Sequence, residues 1–281
     1  AKKDYVSRYG IDSEFSRANP QGWERAQPLL KTHLAELARH HHAAAQASRS
    51  SADYAEAVRW YLIVLKTFPD DPSAAHSNFL LAELLFEDKQ FADAAVEYEK
   101  AAYTYPVHPK SADAGYAALL AYAEQEKAVA KTAAAQPALQ RQGVASALRF
   151  AQAFGADSRA APVLTHAAET LYALNDGEQA AAVAQQVLAL QPPATPAQRR
   201  TAWTVLAHTA FEQGEFDRAE RSYVEVLALL PAQDAARSDM VERLAASVYK
   251  QGEQARDAGQ ARDAVAHFNR VAAVAPQSAV R

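Results

Sequence analysis

The chain has 281 residues, 49% hydrophobic and 22% charged, with a formal net charge of −4 and no cysteine. That balance fills a core and excludes a chain disordered by composition, and it removes disulfides, thiolate chemistry and Cys-based zinc sites together. The charges are spread along the chain without a basic stripe, which argues against a nucleic-acid or anionic-membrane surface, and no apolar run approaches the ~20 residues of a membrane span.

Ala1-Lys2-Lys3-Asp4 does not lead into a signal-peptide core. Residues 1–37 read as a polar and aromatic stretch followed by a leading helix, opened by Trp23 and striped by Leu29, Leu30, Leu34 and Leu37. A first helix pair spans 38–69: helix A over Arg39 to Ala47, punctuation at Ser48 to Ser51, and helix B through Tyr54, Ala57, Tyr61 and Val64. Asp70-Asp71-Pro72-Ser73 then supplies a stop, a turn and a helix N-cap. A second pair spans 75–106. The third, 112–158, carries Tyr116, Leu119, Leu120 and Tyr122 on helix A and Ser146, Phe150 and Ala153 on helix B. An insertion at 123–136, rich in alanine and lysine, lengthens its helices. The fourth (161–192) uses Leu164, Ala167, Ala168, Gly177, Ala180, Ala184 and Val187, and a proline-rich joint follows at Pro192 to Pro196. The fifth spans 200–231, the sixth 245–276, and 277–281 begins a further repeat or a truncated end.

The pairs are copies of one unit. Leu81-Ala82, Phe91, Ala94, Tyr98, Ala101 and Pro106 are matched, interval for interval, by Leu206-Ala207, Phe216, Ala219, Tyr223, Val226 and Pro231. A unit of ~34 residues that cannot bury its own apolar face must stack with its neighbours. Excess alanine and few glycines give an entirely α-helical body, expected as one continuous domain. Ala94 and Ala219 sit where helix B crosses helix A. Tyr98, Tyr223 and Phe268 are expected to fill the gap toward the following unit. The prolines Pro69, Pro106, Pro192, Pro231 and Pro276 end the B helices.

Small-residue pairs in helix A, a glycine in the turn, aromatic-x-x-alanine opening helix B, then an aromatic, a small residue and a terminal proline resemble the tetratricopeptide repeat (TPR) over Arg39 to Pro276. Ala44 and Gln251 stand where leucine is usual, and Ala184 replaces the helix-B aromatic. The resemblance implies a right-handed α-solenoid of stacked antiparallel helix pairs, a TPR superhelix, whose A helices line a concave groove for a peptide or partner segment. By register that groove takes His76, Phe79, Glu83, Phe86 and Glu87 from the second copy and Thr165, Glu169 and Tyr172 from the fourth. The fifth contributes Thr204, His208, Phe211 and Glu212, and the sixth Tyr249, Glu253 and Arg256. Such a groove is aromatic with an acidic rim and selects a basic or amide-rich protein partner. Phe79 and Phe86 packing against the preceding unit is the competing reading. Family members that clamp a C-terminal carboxylate use Lys, Arg and Asn where Phe79 and Glu83 stand here.

No metal or cofactor is expected: His40, His41 and His42 point about 100° apart on a helix and read as exposed surface, and His208 with Glu212 lacks further ligands. Glycine-rich phosphate loops, G-x-S-x-G and H-E-x-x-H are absent. Asp70-Asp71 and Glu97-Glu99 lie in a turn and on an exposed helix, where nothing raises a pKa. The sequence thus points to a non-catalytic protein-interaction scaffold. The helix ends Thr67-Phe68-Pro69-Asp70-Asp71-Pro72 and Tyr103-Thr104-Tyr105-Pro106-Val107-His108-Pro109 resemble bacterial envelope members of the family, those of β-barrel assembly and the Tol-Pal system. They imply a periplasmic or outer-membrane-associated adaptor in envelope assembly or transport. Two alternatives stay open, a cytoplasmic chaperone-like scaffold and a helical superhelix attached to a glycan-cleaving enzyme. After Pro276 no capping helix follows, so further repeats of the chain or self-association are expected to cover that end.

Overall fold

The structure is a computed structural model, and it describes residues 1–129, 134–276 and 278. Among these residues there are fourteen helices and no strand. The sequence predicts one continuous body; the chain instead divides into two compact units, 1–146 and 147–281, the division falling in the copy that carries the insertion.

The first unit holds α1 (Lys2–Tyr9), α2 (Glu14–Ala18), α3 (Pro20–Ser48), α4 (Ser51–Thr67), α5 (Ala74–Glu87), α6 (Phe91–Tyr103), α7 (Ser111–Ala128) and the first part of α8 (Gln136–Ala153). From α3 to α7 each helix packs on the next, and α1 and α2 fold onto α3. The second unit takes the end of α8 with α9 (Ala160–Ala173), α10 (Gly177–Ala189), α11 (Pro196–Glu212), α12 (Phe216–Leu229), α13 (Arg237–Asp257) and α14 (Ala261–Val274). From α9 onward each packs on its successor, and α9 also meets α11, so two A helices lie side by side.

Recurring small residues set these crossings. Ala57, Ala94, Ala180, Ala219 and Ala264, with Ser146 in the third copy, are all buried at the same position of helix B. The turns recur as well: Lys89, Asn175, Gly214 and Gly259 occupy one position and share a left-handed backbone, with φ of 62°, 58°, 76° and 76°. In each, the next residue's amide donates back to helix A (Gln90 to Leu85, Asp176 to Leu171, Glu215 to Ala210, Gln260 to Ala255) at 2.8–2.9 Å, closing orphan carbonyls at the helix end. A glycine is thus not obligatory in the turn. In the fourth copy Asn175 takes the left-handed geometry and Gly177 opens α10.

Several expectations are corrected. The leading helix and the first A helix are one helix of 29 residues, because residues 37–47 contain no glycine, proline or capping residue to mark the repeat boundary. Leu30, Leu34 and Leu37 are buried but Leu29 is exposed, and two short helices precede α3. Ser73 sits at an N-cap without capping; its amide and hydroxyl donate to Asp71 instead. In α7 the buried face is Ala114, Gly115, Ala118 and Ala121 rather than the large residues, and Leu120 is exposed. Ala153 is exposed at the last turn of α8. The sixth A helix starts at Arg237, and Arg237 donates to the Leu227 and Leu230 carbonyls that end α12. Tyr98 and Phe268 pack back on their own A helices, against Phe79 and Tyr249. Part of the insertion (130–133) and most of 277–281 lie outside the described residues.

Ala219→Leu is expected to lower the unfolding free energy by about 1–3 kcal/mol through overpacking at a fully buried crossing. Urea denaturation of the full chain checks this, and an unchanged midpoint would mean that the α11–α12 contact is looser than described.

Candidate functional site

In the first unit, His76, Phe79, Glu83, Phe86 and Glu87 recur at helical spacing and form one stripe of α5. His76 and Glu87 are exposed, while Phe79, Glu83 and Phe86 are half-buried. Phe79 meets the Tyr98 ring at 5.6 Å, and Phe86 meets Phe91 at 5.2 Å and Tyr98 at 6.5 Å, all edge-on. These two phenylalanines pack on helix B of their own pair, not only on the preceding unit, because the alanine crossing brings Tyr98 beneath them. The Tyr98 hydroxyl donates to Glu83. Glu87 accepts from Tyr54 and from Gln46, both at 3.0 Å, which ties α5 to the first pair. Burial, then the neighbouring carboxylate, raises the pKa of both Tyr98 and Tyr54, so each remains a neutral donor.

Among the described residues, neither Glu83 nor Glu87 has a Lys or Arg in ion-pair range; neutral hydroxyl and amide donors hold them. His42 of α3 adds to this wall. It meets the Tyr61 hydroxyl at 3.2 Å, and burial lowers its pKa against the opposing pull of Glu87 and Glu83. His42, Gln46 and Tyr54 were not among the residues read from sequence. The signal was available, since His42 and Gln46 stand in the first copy where Phe79 and Glu83 stand in the second.

In the second unit, the residues expected on the wall do not all come together. Thr165 is buried and its hydroxyl donates to the Ala161 carbonyl; Thr204 likewise donates to Arg200. Both hydroxyls are consumed by their own helix, so Thr165 is corrected from a groove residue to a packing one. Tyr172, His208, Phe211 and Glu212 do come together. The Tyr172 hydroxyl donates to Glu212 at 2.5 Å, the His208 ring lies 5.7 Å from Tyr172 and 5.8 Å from Tyr223, and Phe211 meets Phe216 at 5.2 Å. The pKa of Tyr172 is pushed up to about 12 by burial and by Glu212. Glu169 is exposed. In the sixth copy Tyr249 packs on Phe268, and Glu253 is neutralised by Lys250 at 2.7 Å and lies 3.9 Å from Arg256. The acidic rim therefore holds free negative charge in the second copy but not in the sixth.

The consecutive histidines are not uniformly exposed surface. His40 is exposed, but His41 stacks on Trp60 at 5.9 Å and His42 is half-buried against the Tyr61 ring at 5.7 Å. Among the described residues no group of His, Asp and Glu could hold a metal ion, and no helix is long and apolar enough to cross a membrane.

No protein-family model and no curated protein matches the chain. Among solved structures it is similar to a thermophilic TPR protein from Thermus thermophilus, at 18% identity, covering 75% of this chain and 98% of that one, with a TM-score of 0.34. It is also similar to PilF of Pseudomonas aeruginosa, at 15% identity, 87% and 95% coverage and a TM-score of 0.35. A third likeness is to a tetratricopeptide repeat protein from Parabacteroides merdae, at 11% identity, 85% and 93% coverage and a TM-score of 0.37.

Burial, reinforced by the Arg243 charge, lowers the pKa of His208, so the unfolded chain binds that proton more readily than the folded one. Its contribution to stability is whole above about pH 6.5, the ordinary histidine value, and is lost as pH falls below it. Denaturation midpoints compared at roughly pH 7.5 and 5.5 are expected to fall less for His208→Gln than for the wild type. Equal falls would remove His208 from the pH dependence.

Proposed function

We propose that the chain is a non-catalytic scaffold that holds a basic segment of a partner protein against the A helices of its first unit. The observation that carries this reading is the pair Glu83 and Glu87, which sit among the rings of Phe86, Tyr98 and Tyr54 with only neutral donors attached. A lysine or arginine side chain brings the missing positive charge, can lie against the half-buried Phe86 ring, and replaces water rather than an existing ion pair. His76 and Glu87, exposed on the same stripe, offer contacts to the segment's backbone and flanking residues. Within this reading, the aromatic-proline helix ends around Pro69 and Pro106 support a bacterial envelope adaptor.

Alanine variants of Phe86 or Phe211 make poor tests, because both rings pack inside their own helix pairs. Charge changes at Glu83 and Glu87 leave that packing in place. Fluorescence anisotropy with lysine- and arginine-rich peptides is expected to show salt-sensitive binding, weakened about tenfold by Glu83→Gln with Glu87→Gln and further by Glu87→Lys. Equal affinity in the double variant, or tighter binding of acidic peptides, would overturn the proposal.

A further inference from the structure

His42 holds in the first copy the place that Phe79 holds in the second. Both rings lie edge-on to the tyrosine of their own helix B, His42 to Tyr61 at 5.7 Å and Phe79 to Tyr98 at 5.6 Å, with interplanar angles of 75° and 65°. A phenyl ring meets the packing demand at this position, so an imidazole there adds only what a phenyl lacks: ring nitrogens, and a charge that depends on pH.

The surroundings show what that charge acts on. The charges that bear on His42 are Glu87 and Glu83 of α5, the two carboxylates of the wall. Gln46, one turn further along the same face of α3, donates to Glu87 at 3.0 Å, which places His42 one turn from a residue in direct contact with the acidic pair. From α4 the ring meets the Tyr61 hydroxyl at 3.2 Å, while Tyr54 donates to Glu87; from α6, Tyr98 donates to Glu83. On α3 itself Arg39 donates to the Ala35 carbonyl and bears on Tyr61, and Lys3 of α1 bears on His41.

Burial holds His42 below the ordinary histidine value of about 6.5, so the ring is neutral at roughly pH 7.5 and takes its proton in mildly acid solution. Burial also pushes Tyr61 up to about 12, which keeps its hydroxyl intact. That hydroxyl can donate to the neutral imidazole and accept from the protonated one, so His42 gains a proton without losing its partner.

We propose that His42 is a proton-operated gate on the acidic wall of the first unit: neutral, it leaves Glu83 and Glu87 to a lysine- or arginine-bearing segment, and protonated, it supplies the positive charge itself and weakens the segment's hold. This rests on the reading of the wall as a site for a basic segment.

The test is fluorescence anisotropy of the full chain with a lysine- and arginine-rich peptide free of His, Asp and Glu, from roughly pH 7.5 to 5. Over that range the wild type is expected to lose about fivefold more affinity than His42→Gln, whose amide keeps a partner for Tyr61 and takes no proton. Carboxylate protonation is common to both chains and cancels in the comparison. His76→Gln, about 10 Å from Glu83 along α5, is expected to keep the wild-type profile. Proton and peptide oppose each other reciprocally, so the His42 titration midpoint, followed by imidazole ¹H–¹³C resonances assigned with His42→Gln, is expected to fall by at least about 0.5 in saturating peptide. A wild-type profile in His42→Gln, a profile flattened by His76→Gln, or a midpoint unmoved by peptide would overturn the gate while leaving the wall as a basic-segment site. Absence of binding at every pH would remove the site and the gate together.

Discussion

The small side chain at the helix crossing is the constraint from which the rest follows. Ala57, Ala94, Ala180, Ala219 and Ala264 let helix B approach helix A closely, and no larger residue fits without displacing both backbones. Once the helices are that close, the residue one turn further along helix B lies under the inner stripe of helix A. In the second copy that residue is Tyr98, whose ring supports Phe79 and Phe86 and whose hydroxyl reaches Glu83. In the fifth it is Tyr223, beside His208. Core and candidate binding wall are therefore two ends of the same side chains.

This coupling explains why so much was legible in the residues. The match between Leu81–Pro106 and Leu206–Pro231 records a packing geometry, and the geometry repeats: Phe86 meets Phe91 and Phe211 meets Phe216 at the same 5.2 Å, with interplanar angles of 66° and 64°. Features that packing does not enforce were less visible. Nothing in an alanine- and histidine-rich stretch separates a leading helix from a first A helix, so α3 runs through both. Helical periodicity tells which face Thr165 and Thr204 occupy, but not that their hydroxyls bond back to Ala161 and Arg200. The turn position was readable where it is Gly214 or Gly259. It was hidden where Lys89 or Asn175 takes the same left-handed geometry.

Charge has diverged where packing has not. One position of helix A holds Glu83, Glu169, His208 and Glu253 in the second, fourth, fifth and sixth copies, and the surroundings give each a different state. Glu83 takes a tyrosine hydroxyl, Glu169 is exposed to solvent, His208 is held neutral between two rings, and Glu253 is paired with Lys250. Substitution at this position changes the local charge of helix A without touching the crossing alanine.

The A helix is the middle layer of each pair, and its 3.6-residue period sorts its side chains into two sets that never meet. On α11, Thr204, His208, Phe211 and Glu212 belong to one face, and Trp203, Leu206, Ala210 and Gln213 to the other. The inner set is held to helix B by the aromatic under the crossing, so it varies within tight steric limits. The outer set faces the gap between successive B helices. At these outer positions helices A and B of one copy meet through a stacked pair at His41 and Trp60 and through hydrogen bonds at Asn78 and Glu97, whereas Trp203 and Ser222 line a cleft of about 760 Å³. The outer gap tolerates all three solutions because the crossing alanine, and not the gap, sets the distance between helices A and B. A change there reshapes the outer gap of its own copy without disturbing the inner set of side chains.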